Sequence, residues 1–226
     1  MLREIEDNYP SCTLAGGEST IDRADDLAAQ YPVVEIFHSV QGEGIKSGIP
    51  HVFIRFGNCN LRCQWCDTNF LKFKTLNAVE ILQQVMQFKC KRIIFTGGEP
   101  MLNDLWPLHR LFKARGYELS CESNGTIEIP EGLLDWICIS PKDQEYPNSK
   151  IRQRRGNELK CVYIGQELSM YDDLISGFDN LLLQPCYDHS KSVAWNGEKF
   201  AEVEEIVKQN PPWRLSLQTH KWMGVD

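Results

Sequence analysis

Two hydrophobic periods alternate along the chain from residue 31 onward. VVEIFHSV (33–40) and HVFIRF (51–56) are short runs rich in β-branched and aromatic residues, the signature of strands. In the second run Val52, Ile54 and Phe56 share one face, while His51, Phe53 and Arg55 share the other. The period then lengthens. Thr75 to Lys89 carries Val79, Leu82, Val85, Met86 and Phe88 at helical spacing and leads into a predicted strand, KRIIF (91–95). A helix near Asn103 to Arg115 follows, with Gly116 as its C-cap, then a strand YELSCE (117–122). Further strands are predicted at DWICIS, ELKCVYI, NLLLQ and WRLSLQ, with an amphipathic helix at Glu198 to Gln209 before the last. Residues 1–30 show no sustained period, although Ile21 to Gln30 suits a short helix. They read as an N-terminal arm on a single domain, 31–226.

Strand and helix alternating over short connections predict an α/β domain with a mainly parallel sheet or an open barrel. The unusual residues fall just after the strands. Thr96, Gly97, Gly98, Glu99 and Pro100 follow IIF, SNG follows LSCE, Ser140, Pro141 and Lys142 close CIS, and Gln184 and Pro185 close LLL. In such folds the carboxyl ends of the strands are where ligands bind. Two successive glycines expose backbone, and the carboxylate of Glu99 suits an ammonium group. At the end of the first strand, Gln41 to Gly44 (QGEG) offers a second close backbone approach. Arg55, if it faces the inside of a barrel, needs an anionic partner such as a substrate carboxylate.

The chain has 226 residues, 42% of them hydrophobic, enough for one sizeable domain. Its 24 Lys and Arg against 31 Asp and Glu give a net charge of -7, which argues against coating nucleic-acid phosphates. No signal pattern or membrane-length apolar run is seen, so nine cysteines point to the reducing cytoplasm rather than to disulfides. Cys12, Cys90, Cys121, Cys138, Cys161 and Cys186 lie scattered and read as small hydrophobes. KIRQRR (150–155) is a basic run, a solvated face or a dock for an acidic electron donor.

Cys59, Cys63 and Cys66 are different. Their C-x3-C-x2-C spacing lets three thiolates grip one object. Soft sulfur ligands select zinc, copper(I) or iron-sulfur clusters; three ligands suit a 4Fe-4S cluster with one open iron, while a zinc knuckle needs a fourth ligand from elsewhere.

CNLRCQWC, with an aromatic residue before its last cysteine, resembles the cluster loop of radical S-adenosylmethionine (SAM) enzymes. Together with FHSVQGEG, FIRFGNCNLRCQWCDT, TGGEP, SPK and LQP, it resembles the 7-carboxy-7-deazaguanine synthase family over residues 33–226. The resemblance implies an incomplete TIM-like barrel of mainly parallel strands, a homodimer, and conversion of 6-carboxy-5,6,7,8-tetrahydropterin to 7-carboxy-7-deazaguanine with loss of ammonia. It further implies a 4Fe-4S cluster on Cys59, Cys63 and Cys66, magnesium on Thr68, and an external, flavodoxin-like electron donor. SAM would lie along Trp65, Cys66, Asp67, Gly98, Ser140, Pro141, Lys142, Gln184 and Pro185. The pterin would meet Val40, Gln41, Gly42, Arg55 and Thr96, with Glu43, Glu99, Glu122 and Asn124 as additions and Asp226 near the pocket. Two other readings compete: a glycyl-radical-activating enzyme, disfavoured by QGEG and by Cys-Asp-Thr, and a non-catalytic iron-sulfur or zinc module. Metal content and SAM cleavage separate the latter from an enzyme.

Overall fold

The structure, a computed structural model, describes residues 24–146 and 149–223. Strands β1 (Gln30–Val40), β2 (Pro50–Phe56), β3 (Lys74–Asn77), β4 (Arg92–Gly97), β5 (Glu118–Ser123), β6 (Trp136–Ile139), β7 (Gly156–Tyr163), β8 (Phe178–Pro185) and β9 (Arg214–Leu215) form one sheet. Its order is β3-β1-β2-β4-β5-β6-β7-β8-β9. From β2 through β9 every neighbouring pair is parallel, whereas β1 runs antiparallel to both β2 and β3. The two ends of the sheet do not pair, so the architecture is a partial TIM-like barrel.

The helices are α1 (Ala24–Ala28), α2 (Ala78–Val85), α3 (Trp106–Lys113), α4 (Val193–Gln209) and α5 (Thr219–Met223). α2 shows why these residues become helical. Asn77 accepts the Glu80 N–H at 2.9 Å while the Glu80 carboxylate accepts the Asn77 N–H at 2.7 Å, a reciprocal cap. Ala78, Ile81, Leu82 and Val85 then fall on one buried stripe. That stripe, with Leu108 and Leu111 of α3, joins Ile54, Phe95, Leu119 and Leu159 from the outer face of the sheet in one core. Each such side chain contributes about 1.5–3 kcal/mol by leaving water.

Several boundaries differ from the periodicity. The expected helix from Thr75 starts only at Ala78, because the cap at Asn77 ends a short edge strand, β3, laid against Gln30–Val33. α4 begins five residues early, at Val193, where the Ser192 hydroxyl accepts the Trp195 N–H at 3.1 Å. WRLSLQ yields only the two-residue β9. Of the Ile21–Gln30 helix, Ala24–Ala28 is helical and Gln30 already belongs to β1. That part of the arm is docked: Arg110 donates twice to Asp26, at 2.5 Å each. Cys12, the rest of the arm and Asp226 lie outside the described residues.

The gap in the barrel is bridged by loop 41–49, which crosses from β1 to the segment after β9. Thr219 donates its N–H to Gly42 O at 2.9 Å, Gly44 N–H donates to Ser216 Oγ at 3.1 Å, and Gln218 donates to Glu43 at 2.7 Å. Gly42 must be glycine: a Cβ there would sit 2.1 Å from His220 Nδ1.

Candidate functional site

The cysteine loop hangs between the carboxyl ends of β2 and β4. It opens at Asn58, whose φ of 64° is one that Asn tolerates better than most residues. Gly98 packs so closely beneath it that a Cβ would lie 1.7 Å from Asn58 O. Inside the loop, Cys66 N–H reaches Cys63 O at 3.2 Å and Leu61 N–H points at Cys59 Sγ at 3.4 Å. The Arg62 guanidinium covers Phe70 and donates to Cys59 O at 2.5 Å and Leu61 O at 2.8 Å.

Cys59 and Cys63 are half-buried and Cys66 is exposed. Burial pushes both of the former thiols up, Cys63 to about 12, so their thiolates need a bound cation. Among the described residues no three His, Cys, Asp or Glu side chains converge on a site for a single ion. Three thiols from one loop match the three protein ligands of a 4Fe-4S cluster with one open iron, whereas a zinc knuckle needs a fourth ligand.

The inner face of the sheet carries the alternate, polar positions. Lys160 on β7 is 4% exposed and donates to Glu43 and, at 3.1 Å, to Glu122. Glu122 also accepts from Gln41 at 3.0 Å and Thr96 at 3.1 Å. Burial works against the Glu43 carboxylate, but Lys160 and Gln218 outweigh it and hold its pKa at about 2. Burial likewise opposes the Lys160 charge, and Glu122 and Glu43 raise its pKa well above the usual lysine range. Thus Gln41, Thr96, Glu43 and Glu122 meet in one network, with Gly42 against His220 and Val40 half-buried at the end of β1. Burial lowers the His220 pKa, against the pull of Glu43. Lys160, Gln218 and His220 escaped the sequence reading; a lysine amid apolar strand residues was the one available signal.

Arg55 does face inward, and its partner here is Glu35 at 2.7 Å. Its Nη1 also donates to Thr68 Oγ1 at 3.3 Å, which brings together two residues expected at the substrate carboxylate and the magnesium. Asp67 is tied to Lys221 at 2.6 Å, linking the cysteine loop to α5. Burial would raise the Asp67 pKa, but Lys221 lowers it below the usual value.

A cavity of about 520 Å³ opens beside the loop, walled by Trp65, Cys66, Asp67, Gly165, Pro185 and Trp195 among others. Trp65 Nε1 is buried without a partner, as expected where a ligand belongs. Gly98, Ser140, Pro141, Lys142 and Gln184 lie outside that wall. Lys142 touches it indirectly, covering the Trp65 ring at 5.2 Å while donating to Ser140 Oγ at 2.6 Å. Gln184 faces the barrel interior instead, accepting from Ser216 at 2.9 Å. Glu99 is 0% exposed, and its oxygens accept from Met101 N–H, Ser123 Oγ and Asn124 N–H at 2.8–3.0 Å. It therefore pins β4 to β5 instead of offering a free carboxylate to an ammonium group. The Asn124 side chain in turn donates to Asn60 of the loop at 2.9 Å. Cys186, read as a buried hydrophobe, shares the cavity wall with Cys66.

Three loop thiols at the rim of a half-barrel beside a cavity define a class, and the chain matches the Radical SAM superfamily over residues 53–141. It is 36% identical to the 7-carboxy-7-deazaguanine synthase of Haemophilus influenzae, over 91% of this chain and 99% of that protein. It is 38% identical to the synthase of Bacteroides thetaiotaomicron, over 84% and 96%. The fold superposes on the crystal structure of QueE from Escherichia coli with a TM-score of 0.67 at 28% identity, over 84% of this chain and 95% of that one. The chain belongs to the 7-carboxy-7-deazaguanine synthase family. As a radical SAM enzyme it uses a 4Fe-4S cluster and SAM.

Proposed function

We propose that this protein converts 6-carboxy-5,6,7,8-tetrahydropterin to 7-carboxy-7-deazaguanine, releasing ammonia, with magnesium as a further requirement. The observation that carries this reading is the meeting of Arg55 and Thr68 on the inner face, one residue from the cysteine loop's Asp67. A guanidinium and a hydroxyl side by side suit a carboxylate and a hard cation that share it. When bound, the cluster and SAM supply the one-electron chemistry that takes hydrogen from the substrate. The chain's own residues position and shield. Arg55 grips the carboxylate, with Glu35 keeping the guanidinium oriented. Thr68 would offer magnesium one oxygen ligand. Gln41, Thr96, Glu122 and Lys160 present donors and acceptors to the ring edges, while loop 41–49 and residues 216–221 exclude water.

SAM would lie along Trp65 and reach beyond the cavity wall toward Gly98, whose carbonyl would meet the methionyl ammonium because the Gly98 N–H already donates to Phe56 O at 3.0 Å. A glycyl-radical-activating role fits less well, because the relatives named above are 7-carboxy-7-deazaguanine synthases. Homodimerisation, a flavodoxin-like donor and a reducing, cytoplasmic setting belong to the same reading. All eight described cysteines are free, and no helix among the described residues is long and apolar enough to cross a membrane. The test is anaerobic reconstitution followed by assay with the carboxytetrahydropterin, with and without magnesium. Product formation that Thr68→Val abolishes, while iron content and SAM binding persist, supports the reading. Full magnesium-stimulated turnover by that variant removes Thr68 from the metal site.

A further inference from the structure

The cysteine loop is held from outside by a turn that no motif marks. After β6 the chain enters a turn whose Glu145 and Tyr146 side chains reach back to the loop backbone. Glu145 Oε1 accepts the Gln64 N–H at 2.6 Å, and the Tyr146 hydroxyl accepts the Arg62 N–H at 3.1 Å. These two amides lie between Cys59 and Cys66, where an irregular loop has few backbone partners of its own. A charged acceptor makes the shorter and stronger bond. The other oxygen, Glu145 Oε2, is buried without a partner among the described residues, a costly arrangement where a neutral side chain would be easier to bury. The charge therefore calls for a reason: it sits on the amide next to Cys63 and acts on that thiol, as it does on Tyr146 and Cys186. Lys142 acts on the same thiol with the opposite sign.

We propose that Glu145 is a positioning residue for the cysteine loop: its carboxylate, with the Tyr146 hydroxyl, pins the backbone between Cys59 and Cys66 and lowers the reduction potential of the cluster held there. Cluster potentials follow net charge and hydrogen bonding around the sulfurs. A sulfonium is hard to reduce, so a more negative cluster is the useful one. The proposal rests on the family's cluster and reaches beyond its motifs to the turn after β6.

The experiment uses the full chain, reconstituted anaerobically and poised with dithionite and mediators, with the reduced cluster read by electron paramagnetic resonance before any substrate is added. Glu145→Gln keeps an oxygen for the Gln64 N–H but removes the charge. It is expected to retain iron and to be reduced more easily, the reduced-to-oxidised ratio at fixed poise rising about ten-fold, a shift of about 59 mV for one electron. Glu145→Ala should shift the same way and also lose iron to a chelator several-fold faster. Tyr146→Phe should lose iron faster without moving the midpoint. A folded Glu145→Gln protein that takes up no cluster overturns the proposal. A midpoint unchanged in Glu145→Gln overturns it, as does unaltered iron retention in Glu145→Ala. Should the Glu145 variants fail to fold, unaltered iron retention in Tyr146→Phe overturns it. If the unsubstituted chain holds no cluster, the family reading fails and this proposal with it, whereas a cluster-bearing chain whose Glu145→Gln variant keeps the same midpoint overturns this proposal alone.

Discussion

Lys160 keeps two carboxylates at close quarters inside the barrel, and the arrangement is stable only as a set. Replacing it by Met leaves Glu43 and Glu122 without their shared counter-charge, and one-sided loss of a buried pair costs about 3–5 kcal/mol. Denaturant unfolding of Lys160→Met should show that loss, and the double variant with Glu43→Gln should recover part of it. Arg55 offers a finer distinction. Arg55→Lys keeps the charge but loses the planar fork shared between Glu35 and Thr68. Titrations should show weaker substrate binding with SAM binding nearly unchanged; equal loss of both would make Arg55 a structural residue.

The cap of α2 is a local device with a local price. Asn77→Ala removes one half of the reciprocal cap and is expected to cost about 1 kcal/mol, measured by thermal or denaturant unfolding. Gly98→Ala acts on the site instead, since its methyl would drive into Asn58 O and displace the start of the cysteine loop. The expected result is a folded protein that retains little iron. These elements also show what could be read in advance. The cysteine loop and Gly98 stood out in the sequence because ligand chemistry asks for thiols and close backbone approach for glycine, and the parallel core was legible because apolar alternation dictates the strands. β3 was not, because KTLN is polar and owes its conformation to β1 beside it. α5 was not, since THKWM has no periodic stripe and is held by Gly42 and Asp67, residues far away in sequence. Lys160 and Glu145 were missed for the same reason: their partners come from other strands and turns.

For the molecule as a whole, acid is the condition that separates its layers. Glu43 and Asp67 both have lowered pKa values in the fold, so the stability they contribute is present above the ordinary carboxylate range, near pH 4. It is lost as pH falls through their folded values, which for Glu43 is about 2. The stability difference between the unsubstituted chain and Glu43→Gln should therefore be constant above about pH 5 and shrink steadily below it. A difference that grows on acidification would contradict the assignment. The seam between loop 41–49 and residues 216–221 joins atoms 172 to 177 positions apart in the chain. A growing polypeptide meets these partners in a fixed order, N-terminal portions emerging first. The apolar layer around β2, β4 and α2 is complete long before Gln218 is translated, whereas the seam waits for residues 216–221. A ribosome that stalls or frameshifts just before residue 216 thus releases a protein with a well-packed outer layer and an open seam, one that quality control cannot recognise by exposed hydrophobic surface alone.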